Sequence, residues 1–258
     1  MHFVDTHTHL YLEQFDNDRD QMMDRAFDAG VKHLLLPNID IDSLEPMLAL
    51  CRQFPGQCFP MAGLHPTSVK EDVLMQLDVL EKKLSENNFC AIGEIGIDLY
   101  WDKTFLGEQI MAFKTQLEWA KTAGLPVAIH TREAFPMILD IVEKAQDGRL
   151  SGVFHCFTAG IEEANRIMQL NFMMGIGGVL TYKKSHLPAV VQQIPMDFIV
   201  LETDSPYLPP VPYRGKRNES SYLVETAVKL AEVKGISLSE TAEITTRNAI
   251  NLFKINTL

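Results

Sequence analysis

The amino-acid sequence predicts an α/β fold of the (β/α)8 TIM barrel type, and three observations carry that expectation. Short apolar or β-branched runs recur eight times along the chain, and helix-period stretches lie between them. Strands that alternate with helices imply a parallel sheet. The length, 258 residues, suits eight such units closed into a barrel, which commonly takes about 250. No G-x-G-x-x-G follows the first run, so the signature of a dinucleotide-binding open sheet is missing.

In chain order the runs are FVDTHTH (3 to 9), HLLLPN (33 to 38), CFPMAGLHP (58 to 66), CAIGEIGID (90 to 98), PVAIHT (126 to 131), GVFHCF (152 to 157), FMMGIGG (172 to 178) and FIVLETDSP (198 to 206). Between them RDQMMDRAFDAG, SLEPMLALCRQF, DVLMQLDVLEKKLSEN, LGEQIMAFKTQLEWAKTAG, AFPMILDIVEKAQDG and IEEANRIMQLN carry helical periodicity. Several close on Gly or Asn, the residues that take a left-handed conformation past a helix end. After the eighth run come a Pro-rich loop (Pro206, Pro209, Pro210, Pro212) and two more helices, SSYLVETAVKLAEVKG and LSETAEITTRNAINLF. The second follows Ser237, with Glu240 three residues on, the pattern of a capping box. No linker divides the chain, so residues 1–258 are expected to form a single barrel domain with C-terminal helices.

Composition narrows the function. With 46% hydrophobic and 22% charged residues and no apolar run near the ~18 residues of a membrane span, the chain is expected to fold in water without a membrane partner. Cys51, Cys58, Cys90 and Cys156 are scattered, and the N-terminus lacks a basic-then-apolar leader, which points to a reduced, cytoplasmic compartment. A net charge of −11 argues against a broad basic groove tracking a nucleic-acid backbone. A phosphate-bearing substrate would have to be held by a few local cations or by a metal.

In such a barrel the chemistry stands at the C-terminal ends of the strands. Those ends carry His7 and His9, His65, Glu94, His130, His155, and Glu202 with Asp204. His7 and His9, two apart, would share one side of a strand with Asp5, close enough for two imidazoles to meet one cation. A lone H-x-H is weak, and His130 or His155 alone would read as a satisfied core histidine. Glu94 in CAIGEIGI and Asp204 after VLET, however, are carboxylates in apolar runs, where an unpaired charge costs several kcal/mol. Four histidines and two carboxylates converging on one rim are enough for two divalent ions, with Glu94 suited to bridge them.

The motifs D-T-H-T-H, G-L-H-P (63 to 66), G-E-I-G-I-D (93 to 98), I-H-T-R-E-A (129 to 134), F-H-C-F (154 to 157) and L-E-T-D-S-P followed by Y-R-G-K-R-N (201 to 218) span nearly the whole chain. In that order they resemble the TatD family of metal-dependent deoxyribonucleases, within the amidohydrolase-like barrels. The resemblance implies two divalent metal ions (Mg, Mn, Zn or Ni) and hydrolysis of DNA phosphodiesters, exonucleolytically, by an activated water. It implies that His7, His9 and Asp204 bind one ion and His130 and His155 the other, with Glu94 between them. His65 and Arg132 would lie near the substrate phosphate, and Glu202 would support a ligand histidine or bind metal. Asp5 is expected to orient a ligand histidine from within the barrel. Asp204 and Glu94 are the expected catalytic carboxylates, Asp204 accepting the water's proton.

Arg214, Lys216 and Arg217 form the one locally basic stretch and are expected to hold flanking phosphates of a DNA or oligonucleotide partner, with Tyr207 or Tyr213 stacking on a base. No obligate protein partner is evident. Two other readings stand beside this one: an amidohydrolase-like enzyme acting on a small amide, lactone or phosphoester, and a binding barrel without catalysis.

Overall fold

The computed structural model describes residues 1–255. Eight parallel strands, β1 (Phe3–Asp5), β2 (Val31–Pro37), β3 (Cys58–Ala62), β4 (Ala91–Asp98), β5 (Val127–Arg132), β6 (Gly152–Phe154), β7 (Met173–Ile176) and β8 (Ile199–Leu201), pair in sequence order. The Thr6 N–H donates to Leu201 O at 3.0 Å and closes β1 on β8. The fold is the expected (β/α)8 barrel.

Six helices follow the first six strands: α1 (Arg19–Asp28), α2 (Ile41–Gln53), α3 (Val73–Glu86), α4 (Leu106–Ala123), α5 (Phe135–Ala145) and α6 (Ile161–Gln169). The seventh crossover holds a short helix, α7 (Leu187–Val191), which sequence reasoning missed because five residues beginning beside Pro188 show no helical period. After β8 come α8 (Leu223–Lys234) and α9 (Leu238–Phe253). Caps set several boundaries: Asp40 accepts the Ser43 N–H at the start of α2, and Gly124 takes φ 65 at the end of α4. Of the expected capping box at α9, the Ser237 hydroxyl accepts the Glu240 N–H.

The strand period of two sorts side chains into two cores. Leu34 and Leu36 pack outward with the helices, whereas Leu35 joins Val4, Met61, Ala91, Ala128, Val153 and Val200 in a separate cluster closed by Ala249 and Phe253 of α9. Six of the strands stop earlier than expected at their C-terminal ends, whereas β4 ends at Asp98 as expected and β5 runs one residue further, to Arg132. Past β1 the backbone leaves the ladder for new partners: Thr8 N–H donates to Leu35 O and His9 N–H to Ser205 O. Thus Glu94 and His130 remain inside strands, while His7, His9, His65, His155, Glu202 and Asp204 stand in the loops just beyond.

Candidate metal centre

The alternation in Thr6-His7-Thr8-His9 is what aims the two imidazoles. Thr6 commits its N–H and hydroxyl to Leu201 O, and Thr8 its N–H to Leu35 O, so the intervening His7 and His9 face the barrel mouth. There they meet Glu94, which is 2% exposed. Glu94 Oε2 lies 3.2 Å from His7 Nε2 and 3.5 Å from His9 Nε2. Its Oε1 lies 2.9 Å from His130 Nδ1, 2.9 Å from His155 Nε2 and 3.3 Å from His65 Nε2. One carboxylate therefore divides five imidazoles between its two oxygens. Gly63 makes room for its backbone, because a Cβ there would sit 2.6 Å from Gly93 C. Asp204, in the left-handed region at φ 56, brings Oδ1 to 3.6 Å from His9 Nε2 and 3.9 Å from His7 Nε2.

The outer ring nitrogens decide what each histidine offers. Tyr11 O–H donates to Pro37 O at 2.6 Å, so its oxygen accepts from His9 Nδ1–H at 3.0 Å and leaves the Nε2 lone pair facing Glu94 and Asp204. His130 donates Nε2–H to Asp98 Oδ2 at 2.9 Å, which frees Nδ1 toward Glu94. His155 has Nδ1 3.6 Å from Glu202 Oε1 and Nε2 on Glu94. An oxygen behind a histidine whose other nitrogen points at a shared centre is the arrangement of ligand histidines in metal sites. His65 differs. Its Nδ1 accepts the Thr67 N–H at 3.2 Å, so Nε2 carries the proton and is a donor rather than a ligand, although it stands at ligating distance from Glu94 and His130.

Electrostatics agree that the centre wants positive charge. Burial alone would raise the Glu94 carboxyl, but His65, His155 and His7 around it and the His130 hydrogen bond hold it well below the usual range. Burial opposes charging His9, yet Asp204 and Glu94 push it up to about 9. Carboxylate partners likewise raise His130 and His155 against the effect of burial, whereas burial and the neighbouring His155 hold His7 below its ordinary value, so protons gather on part of the cluster, in places a divalent ion would take. The donor set, imidazole nitrogens and carboxylate oxygens in three mutually close groups, suits such an ion.

Around this centre the other expected residues separate. Arg132, at the end of β5, lines the same cleft, about 440 Å³ in volume, as Glu94, His130 and Asp204. Glu202 is buried behind the centre, accepting the Cys156 N–H, and only Gly175 fits beside it, since a Cβ there would fall 2.0 Å from Glu202 Oε2. Asp5 corrects the sequence expectation: its carboxylate turns to the β8 side, accepting from Thr203 N, Thr203 Oγ1 and Ser220 Oγ at 2.9, 2.6 and 2.7 Å, and meets His7 at the backbone N–H rather than the ring. Burial pushes its carboxyl up to about 7. Arg217 is a second correction, because Asp18 binds its guanidinium through both oxygens at 2.7 and 2.8 Å and so occupies the fork that a phosphate would need. Arg214 covers the Tyr182 ring at 3.8 Å, Lys216 lies 5.8 Å from the Tyr213 ring, and neither lines the cleft. Tyr213 is stacked on Tyr222 at 3.7 Å, whereas Tyr207 is open and lines the cleft.

Sequence reasoning missed Asp98 and Tyr11, the two groups behind His130 and His9. Asp98 had a signal, for Glu94, Gly96 and Asp98 share one face of β4 by the strand period. Tyr11 had none, since its loop position follows no period.

Comparison with known proteins places this geometry. The family model of TatD related DNases matches residues 4–254. An uncharacterized metal-dependent hydrolase of Bacillus subtilis (strain 168), YabD, is 35% identical, covering 98% of this chain and 99% of its own. Another, YcfH of Escherichia coli (strain K12), is 30% identical over 99% of this chain and 97% of its own. The crystal structure of YjjV, a TatD homolog from Escherichia coli K12, superposes with a TM-score of 0.92 at 28% identity, covering 98% of each chain. With the match running nearly end to end and the carboxylate-centred cluster of histidines in place, this chain belongs to the TatD family of metal-dependent hydrolases.

Proposed function

We propose that the protein is a metal-dependent deoxyribonuclease that removes nucleotides from a DNA end, using two divalent ions that Glu94 and the side chains around it would hold. The observation that carries the reading is Arg132: it stands in the cleft beside the centre, where its guanidinium meets the Tyr100 and Trp101 rings and, among the described residues, no carboxylate. A chain of net charge −11 that keeps there a guanidinium resting on the Tyr100 ring but bound to no carboxylate offers a binding group for an anion. His7, His9 and Asp204 would hold one ion, His130 and His155 the other. Bound ions of this kind supply Lewis acidity to a phosphoryl oxygen and lower the pKa of water.

The chain's own groups do the rest. Asp204 is the proton acceptor, for its side chain is 15% exposed where Glu94 is 3% and Glu202 1%, so it is the centre's carboxylate that solvent reaches. His65 donates Nε2–H toward a non-bridging oxygen of the phosphate, and Arg132 balances the charge that builds there. Arg214 and Lys216 are left for more distant phosphates. No helix among the described residues is long and apolar enough to cross a membrane, and with all four cysteines free the cytoplasm is the proposed compartment.

The test is incubation of Mg-, Mn-, Zn- or Ni-loaded protein with DNA oligomers labelled at the 5′ or the 3′ end, with a chelator and Glu94→Ala as controls. Stepwise shortening from one end, lost in both controls, is expected. Absence of cleavage with every metal would overturn the reading in favour of a hydrolase of small amides, lactones or phosphoesters.

A further inference from the structure

Of the 14 Phe, 6 Tyr and 2 Trp in the chain, the three side chains most open to water are Tyr100, Trp101 and Tyr207, at 51%, 68% and 48% exposure. All three stand at the mouth of the barrel. Trp101 and Tyr207 line the cleft, and Tyr100 lies under Arg132, whose guanidinium is 3.7 Å from its ring centroid and 5.3 Å from that of Trp101. Every other aromatic side chain among the described residues is buried or half-buried. Open aromatic surface confined to one rim calls for a ligand that covers it.

The corner is held in fixed relation to the centre by one carboxylate. Asp98 Oδ1 accepts the Tyr100 and Trp101 N–H groups at 2.9 and 3.1 Å, while its Oδ2 accepts from His130 at 2.9 Å. The pairing of Asp98 with Arg132 across β4 and β5 sets the arginine beside the two rings. Tyr100 meets Trp101 at right angles, at 88° and 5.0 Å, and so braces the indole, which stays 68% exposed.

We infer that Trp101, braced by Tyr100 and Asp98, is the stacking platform for the base of the nucleotide whose phosphate reaches Arg132 and the Glu94 centre. The inference rests on the nuclease reading and names the part of the substrate that this wall receives. A planar, uncharged ring joined to an anion matches the wall, with an open indole beside a guanidinium whose other face is already on Tyr100. Base stacking on an aromatic side chain is indifferent to sequence and is typically worth about 5- to 150-fold in affinity, so the platform would favour nucleotides over other phosphoesters without selecting among bases.

Two measurements test it, both on metal-loaded protein. In a Trp119→Phe background, which leaves Trp101 as the single tryptophan, its emission is followed while thymidine 5′-monophosphate or deoxyribose 5-phosphate is added. Quenching by the nucleotide and none by the sugar phosphate is expected. In parallel, KM and kcat are measured on an oligomer with a normal or an abasic terminal residue, for the wild type, Trp101→Ala and Trp101→Phe. The wild type should favour the base-bearing end by about tenfold in KM, Trp101→Ala should erase most of that preference, and Trp101→Phe should restore most of it. An equal preference in wild type and Trp101→Ala would overturn the inference, and so would hydrolysis accompanied by no selective quenching. Selective quenching with no hydrolysis of any oligomer would leave the platform standing and remove the nuclease reading instead.

Discussion

The two ends of the barrel are built on the same strands, a few residues apart, and they obey opposite rules. At the N-terminal end Val4, Ala91, Ala128, Val153 and Val200 fill the interior with α9 and Phe253 closing it. Two or three residues further along the same segments stand His7, Glu94, His130, His155 and Glu202, nearly all withdrawn from water yet polar. The lower layer gains stability from apolar burial. The upper layer bears the cost of desolvated carboxylates and offsets it by mutual hydrogen bonds that a cation would complete. Stability and chemistry are thus separable by position along a strand, and substitutions at the two ends should fail in different ways.

Glu94→Ala should give the largest effect. It removes the group that both halves of the histidine cluster face, and metal affinity, read by titration calorimetry, should fall by more than the ~100-fold that loss of a supporting residue brings. Hydrolysis should drop to background. Its metal-free form should nevertheless unfold in urea closer to wild type than Phe253→Ala does. The latter empties an aromatic side chain from the lower layer and should lose about 3 to 5 kcal/mol of stability, while kcat/KM per folded molecule stays within about twofold. Equal destabilisation by the two would break the separation of the two ends.

Glu202→Gln sharpens the comparison within the upper layer. Glu202 meets His155 at its outer nitrogen and leaves Glu94 to the inner one, so the amide should keep the fold and weaken metal binding by about 10- to 100-fold. Metal affinity equal to wild type would mean that His155 is oriented without it.

What was legible in the sequence follows the same division. The eight strands and the cluster of polar residues at their ends could be read because polar side chains in apolar runs violate the local pattern, and a violation repeated at several strand ends has few explanations. Asp98 escaped because it was taken as the end of a strand; His65 was read at its strand end, but its proton position was not, because that depends on Thr67, a contact inside a turn. The basic stretch misled for a different reason. Its Arg217 finds Asp18 199 residues earlier in the chain, and no local reading reveals a partner at that distance.

That pair gives the smallest predicted effect. Arg217, with Arg25, holds the Asp18 carboxyl down to about 2 from the ordinary 3.8. A carboxyl lowered in the folded state contributes stability that is present above about pH 4 and is lost as pH falls through the window between 3.8 and about 2. Asp18 is a third exposed, so solvent screening limits the contribution to at most about 1 kcal/mol. Asp18→Asn, unfolded in urea without metal, should lose that amount at pH 7 and show a correspondingly shallower fall in stability between pH 4 and pH 2. The same ion pair makes Arg217→Ala a control for substrate binding. Arg132→Ala should raise KM for DNA and flatten its dependence on salt, because a cation in the cleft that no carboxylate neutralises is lost, whereas Arg217→Ala should leave the salt dependence as it was. Equal flattening by both would mean that Arg217 exchanges Asp18 for a phosphate when DNA arrives.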